Sequence, residues 1–310
     1  MTVADRVPRI IFVPGKNPKP RPELYKQQLR RCLLEGVRKA DPAVHAELAA
    51  LPDLFTLIAW NHSYYGSYSD ISLEIPWIDR MLEKPEASPE DRREARRWRV
   101  RIGRISHVIA DRFPTLIRLV RNPRLRASIE DTAGYFENRA GIAEKVRSPL
   151  TGCLREFGAE GVPILLIGHS LGSVIAYDAL WTASHLEPLR CTVDLFLSMG
   201  SPLGMRFVQQ RLLGHDAIGA LCYPKISRRW LNITAVGDPY AIDPHLRDDF
   251  REMIDLRLVE DIRDNGEPVY TWFRSELGLN VHRSYGYFAT RDVGRVIAAW
   301  WKESTATLRT

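Results

Sequence analysis

Ser170 stands in Gly168-His169-Ser170-Leu171-Gly172, directly after the apolar run Pro163–Ile167 and directly before a helix-like stretch, Leu171–Trp181. Glycines on both sides of a serine carry meaning in this setting. A nucleophile at the tip of a strand–turn–helix corner leaves no room for bulky neighbours, and the corner exposes its hydroxyl. The N–H of Leu171 then lies at a helix N-terminus, where an oxygen gaining negative charge can be received. The chemistry is nucleophilic attack by serine. A serine hydroxyl is weak at its own pKa, so a base and a group to orient that base must be found elsewhere in the chain.

The elements that must hold such a corner are legible around it. Arg9–Val13, Leu54–Trp60, Val162–Ile167, Val193–Met199 and Leu231–Val236 are short apolar runs of the kind that form strands buried on both faces. A sixth run, Leu256–Ile262, alternates and is expected to pair with Val269–Phe273 in a hairpin around Asn265-Gly266. Helical stretches, Glu23–Arg38, Ala140–Phe157, Leu171–Ala183 and one between Phe207 and Ile218, separate the first five runs, and Asp292–Lys302 closes the chain. Alternation of this kind predicts an α/β fold with a doubly wound, mostly parallel sheet of about six strands. At 310 residues, 45% of them hydrophobic, one α/β domain with an insertion is expected. No apolar stretch approaches the ~20 residues of a membrane span. The first strand-like run follows the start too closely for a signal peptide, and four scattered cysteines without a C-x-x-C pair fit reduced thiols in a cytoplasm. Neither a metal cluster nor a cofactor is implied.

With its elbow at Ser170 and the order Ser…Asp…His that follows, the chain resembles the α/β-hydrolase superfamily, in particular its serine esterases and lipase-like members. The resemblance covers most of the chain outside Ile71–Arg139. It implies an acyl-enzyme mechanism, a base in the loop after the last strand, and an acid at the end of the strand before. His282, in Asn280-Val281-His282-Arg283, occupies the first of these places, and Asp238, in Gly237-Asp238-Pro239, the second. Asp243 is the alternative acid, with Asp238 then only a turn residue before Pro239. The resemblance also implies a second oxyanion donor in the loop after the first strand. Many relatives read His-Gly there, where this chain has Pro14-Gly15-Lys16-Asn17. Pro14 has no N–H, so Lys16 is the first candidate donor and Gly15 the next. Gly15-Lys16 lacks the frame of a phosphate loop. Trp60, Asn61, His62 and Tyr64 with Tyr65, and Ser201 in Gly200-Ser201-Pro202, lie at strand ends where ligands of such sheets bind, and are candidate pocket residues. The alternative for Tyr64 and Tyr65 is packing beneath the insertion.

Residues 1–70 and 140–310 are thus expected to form the core, with 71–139 an inserted helical cap. The cap is rich in arginine: Asp91–Arg126 holds twelve arginines against Asp91, Glu94 and Asp111, so the remainder of a chain of net charge +6 is slightly acidic. Its clearest element is a helix over Arg92–Phe113 with Trp98, Ile102, Ile105 and Ile109 on one stripe, ended by Pro114 and followed by the apolar patch Leu116–Val120. Three roles fit: packing on the core with solvated arginines, peripheral contact of Arg92–Arg126 with an anionic membrane surface, or attraction of an anionic acyl substrate. Nothing resembles a nucleic-acid recognition module. The expected function is hydrolysis of a carboxylic ester, of a small molecule or a lipid, without a cofactor. An acyltransferase or thioesterase with the same three residues, and a non-catalytic binding protein of the same fold, are the alternatives.

Overall fold

Successive residues of a strand point to opposite faces, and the apolar runs of this chain supply both faces at once. Ile10, Phe12, Leu165, Ile167 and Leu197 enter one core, while Ile11, Val13, Ile164, Leu166 and Phe196 enter the other. The computed structural model describes residues 6–97, 133–225, 227–241 and 243–309. Its sheet holds β1 (Arg9–Val13), β2 (Phe55–Leu57), β3 (Ile164–His169), β4 (Val193–Met199), β5 (Ser227–Ile233) and β6 (Asp261–Asp264). They lie in the order β2-β1-β3-β4-β5-β6, with every neighbouring pair parallel. Helices flank the sheet on both faces, as an α/β protein requires.

The first core is closed by helices Pro22–Ala40 and Arg291–Arg309. The former starts with Pro22 in its first turn and buries Tyr25, Leu29, Cys32, Leu33 and Val37, a stripe at helical spacing. The latter buries Val293, Ile297, Trp300 and Trp301 against the same face. Helices Ile142–Glu160 and Leu171–His185 close the second core. β1 has β2 on one side and β3 on the other, so the chain leaves it in two directions. The crevice beyond the C-terminal ends of β1 and β3 is where ligands of such sheets bind.

Several expectations change. β2 takes up only Phe55–Leu57 of the expected Leu54–Trp60, and the sixth strand is Asp261–Asp264 in place of Leu256–Ile262. β5 begins at Ser227 and ends at Ile233, earlier than the apolar run suggested. Its first residues carry charge on the outside, with Arg228 on Glu260 and Arg229 on Glu303. The hairpin around Asn265-Gly266 does not form. β6 joins β5 in parallel, while Val269 makes a parallel bridge to Ala235. Asn265 is the cause: its Oδ1 accepts from the Thr234 N–H at 3.1 Å and its Nδ2 donates to the Thr234 carbonyl at 3.1 Å. A side-chain amide here takes the place of a strand residue, so the dipeptide serves the end of β5 instead of a tight turn. The two-stranded hairpin of the region lies further on, between β7 (Arg274–Ser275) and β8 (Gly278–Leu279).

The described start of the expected insertion belongs to the first core. Helix Ile75–Leu82 buries Ile78 and Met81 there, and the Trp272 indole donates to the Met81 carbonyl at 2.9 Å. Helix Pro89–Ala95 overlaps only the start of the expected Arg92–Phe113 helix, which lies outside the described residues from position 98 on, and Arg274 reaches it at Asp91 and Glu94. Trp98, Ile102, Ile105, Ile109, Pro114 and Leu116–Val120 lie outside the described residues, as does most of the Arg92–Arg126 span. Where the chain returns, Tyr135 is buried against the helix that follows Ser170. Among the described residues no helix is long and apolar enough to cross a membrane.

Candidate active site

β3 ends at His169 and the next helix starts at Leu171, so Ser170 alone makes the corner. Its backbone sits at φ 55, ψ −131, a conformation that costs a non-glycine residue on the order of 1–3 kcal/mol. The corner is that tight because its glycines permit it. A Cβ on Gly172 would lie 2.2 Å from the Val13 carbonyl oxygen, and one on Gly168 would lie 2.5 Å from Cα of Ser173. The surroundings hold the strained residue in place. Its N–H donates to the Met199 carbonyl at 3.0 Å, and its carbonyl accepts from the Ser173 hydroxyl at 2.6 Å. With the Ser173 proton so used, it is the Ser201 hydroxyl that donates to Ser173 Oγ, at 2.7 Å. Ser201 therefore braces the corner from behind.

His282 and Asp238 meet. Nδ1 of His282 lies 2.9 and 2.8 Å from the two carboxylate oxygens of Asp238. Asp238 is wholly buried, and burial alone would raise its pKa. The charge and hydrogen bond of His282, the Tyr287 hydroxyl at 2.6 Å and the Tyr240 N–H at 2.9 Å outweigh it and bring the carboxyl down to about 2. Its Oδ1 also forms the turn that carries Pro239 and Tyr240. Asp243 is spent elsewhere, accepting from the His245 N–H at 2.9 Å. With Nδ1 committed to Asp238, Nε2 is the His282 nitrogen left to exchange a proton.

His169, inside the corner, ties the two halves together. Its Nε2 lies 2.7 Å from the His282 carbonyl oxygen, and its ring centroid is 4.7 Å from that of His282. Burial first, then the neighbouring His282 and Lys19 charges, lowers the His169 pKa well below its usual value. A neutral ring facing a carbonyl carries its proton on Nε2, so His169 donates to His282. Tyr240 lies on the other side, its ring 4.1 Å from that of His282, and the Lys16 ammonium sits 4.8 Å over the Tyr240 ring.

The loop after β1 runs against the corner. A Cβ on Gly15 would come within 2.8 Å of Ser170 Cβ, so the loop touches the serine at the one residue that has no side chain. Lys16 is buried beside it. Trp60 and Asn61 are both buried, and both donate to carbonyls of this loop. His62 is exposed and stacks on Tyr68, and the Tyr64 ring packs on Trp60 near Gly134, where the chain returns from the undescribed segment.

Tyr287, Tyr240 and Lys19 escaped the sequence reading. The only local signals are Tyr240 two residues after Asp238, at the reach of an Asx turn, and Tyr287 in the helical turn that follows His282. Among the described residues no group of three or more His, Cys, Asp or Glu side chains is arranged to hold a metal ion. No protein-family model, no characterised protein and no solved structure matches this chain.

Proposed function

We propose that the chain is a serine hydrolase of the α/β-hydrolase type that cleaves carboxylic esters through an acyl-enzyme intermediate. The observation that carries this reading is the strained corner at Ser170, bonded through His169 to the loop whose His282 is gripped by a buried Asp238. Strain in a non-glycine residue, kept in place by the Met199 carbonyl and the Ser173 hydroxyl, marks a side chain that must project at a fixed point.

In this reading Ser170 Oγ attacks the ester carbonyl while Nε2 of His282 accepts its proton. Asp238 keeps the imidazole in the required tautomer and stabilises the imidazolium without taking up the proton. The N–H groups of Leu171 and Lys16 receive the oxyanion, and His282 then passes its proton to the leaving alkoxide. Water, activated by the same histidine, releases the acid. The cap of residues 71–139, its arginines and the choice of ester belong to this proposal, as does a cytoplasmic setting suited to four unpaired cysteines.

The test is hydrolysis of short p-nitrophenyl esters with labelling by a fluorophosphonate probe. Wild type is expected to turn over and be labelled at Ser170. Ser170→Ala is expected to lose both while its circular dichroism is unchanged. Undiminished turnover in Ser170→Ala would sink the assignment.

A further inference from the structure

The loop after β1 lies beyond the end of the strand, so the sheet ladder does not orient its peptides. Side chains orient them instead, and they do so at four consecutive carbonyls. The Pro14 carbonyl accepts from the Trp60 indole at 2.8 Å. The carbonyls of Gly15 and Asn17 both accept from Nδ2 of Asn61, at 2.8 and 3.0 Å. The Lys16 carbonyl accepts from the Lys19 ammonium at 2.6 Å. A trans peptide is planar with its C=O and N–H pointing in opposite directions, so gripping one carbonyl aims the N–H that follows it. The N–H vectors of Gly15, Lys16 and Asn17 are therefore set by Trp60, Asn61 and Lys19.

Asn61 itself shows which half of its amide is needed. Both of its donated bonds come from Nδ2, while Oδ1 is buried with no hydrogen-bond partner. Turning the amide over would satisfy neither carbonyl and would set an oxygen against both, so the assignment of nitrogen and oxygen follows from the network. A residue kept only to fill this space would not carry an orphaned acceptor. Asn17, the last residue gripped, sits at φ 75, a left-handed conformation that an unrestrained asparagine only sometimes adopts.

We infer that Trp60, Asn61 and Lys19 are positioning residues that aim the oxyanion-binding N–H groups of the Gly15–Asn17 loop at Ser170 by holding its carbonyls from behind. The inference rests on the hydrolase reading above. It assigns to three side chains the rigidity that the loop lacks on its own, and it gives Trp60 and Asn61 a part in the chemical step without contact with substrate.

The experiment uses the full chain with Asn61→Ala, Asn61→Asp, Asn61→Gln and Trp60→Phe. Four quantities are read: kcat and KM on a p-nitrophenyl ester, the rate of fluorophosphonate labelling of Ser170, inhibition by an aryl trifluoromethyl ketone, and Tm. The ketone adduct carries an oxyanion where the substrate does not, so its affinity reports on the aim of the N–H groups. Asn61→Ala is expected to lower kcat about 10- to 100-fold with KM within about threefold, given that losing a whole oxyanion donor costs about 100- to 1000-fold. Ketone affinity is expected to fall in proportion to kcat/KM. Asn61→Asp, which turns two donors into acceptors, is expected to fall furthest, and Asn61→Gln to recover part of the loss. Trp60→Phe removes one N–H and keeps an aromatic ring, and is expected to lower kcat several-fold; it carries the test if Asn61→Ala fails to fold. A folded Asn61→Ala or Trp60→Phe with kcat within twofold of wild type, or a loss confined to KM with ketone affinity intact, overturns the inference and leaves the hydrolase reading standing. Wild type that is neither active nor labelled at Ser170 removes that reading and the inference with it.

Discussion

The Tyr287 hydroxyl donates to Oδ2 of Asp238 at 2.6 Å, the same oxygen that lies 2.8 Å from Nδ1 of His282. A carboxylate gripped from two sides cannot swing, and the imidazole it holds inherits that fixity. Tyr287→Phe removes the hydroxyl with little change of shape. A hydrogen bond to a buried charge contributes about 1.5–3 kcal/mol, so Tm should fall by several degrees, while kcat falls a few-fold because His282 and the Tyr240 N–H still hold Asp238. Thermal unfolding and ester turnover of the variant measure both. A complete loss of turnover without loss of stability would instead give Tyr287 a place in the chemistry.

Asp238 and Asp243 have different partners although they stand only five positions apart in the sequence. One faces His282, and the other accepts from the His245 N–H. Asp238→Asn should lower kcat by about four orders of magnitude, because the amide favours the wrong tautomer of its histidine. Asp243→Asn should leave kcat within a few-fold. Steady-state kinetics on the two variants side by side decides the acid, and the reverse ranking would move the role to Asp243.

Two buried carboxylates should pull stability in opposite directions as pH changes. Asp238 titrates at about 2 in the fold against 3.8 for an ordinary aspartate, so the unfolded chain takes up its proton first. Its contribution is present above about pH 4 and is lost between about pH 4 and 2. Asp178 is the opposite case. Burial raises it to about 6, against the opposing bonds from the Leu213 N–H and the Tyr135 hydroxyl and the charge of Arg147. The folded chain keeps that proton where the unfolded chain has lost it, so stability declines from about pH 4 to about pH 6 and stays reduced above. About two pKa units amount to roughly 3 kcal/mol. Urea unfolding of wild type and Asp178→Asn at pH 4 and pH 7 should show a smaller decline in the variant. Equal declines would mean that Asp178 is ionised in the fold at pH 4 as well.

Legibility in the sequence followed the range of the interaction. β1 and β4 occupy the residues their apolar runs marked, Arg9–Val13 and Val193–Met199, because nearly every residue of each is apolar and buried. β5 was harder, since Ser227, Arg228 and Arg229 open it with polar side chains whose partners, Glu260 and Glu303, come from elsewhere in the chain. Asn265 read as a turn residue because its bonds to Thr234 are invisible until β5 and β6 are side by side. The corner at Ser170 is local and was legible in five residues. The contacts around it are not: Tyr287 bonds Asp238, while Lys19 and Asn61 hold the loop after β1, and none of the three stands in a periodic or motif-like setting. Trp60 and Asn61 stand out in the sequence by their position at a strand end, yet their bonds to the loop after β1 depend on contacts more than forty residues away in the chain.

The bond from His169 to the His282 carbonyl joins two positions 113 apart in sequence. Kinematically, it makes the corner and the loop a single linkage: the residue before Ser170 is bolted to the backbone of the residue that Asp238 holds. A displacement of the segment around Arg283 would be transmitted to Ser170 and would not be absorbed between them. On the proposed reading, the spacing of Ser170 and His282 is thereby tied to a main-chain dimension, which side-chain motion at the surface cannot retune.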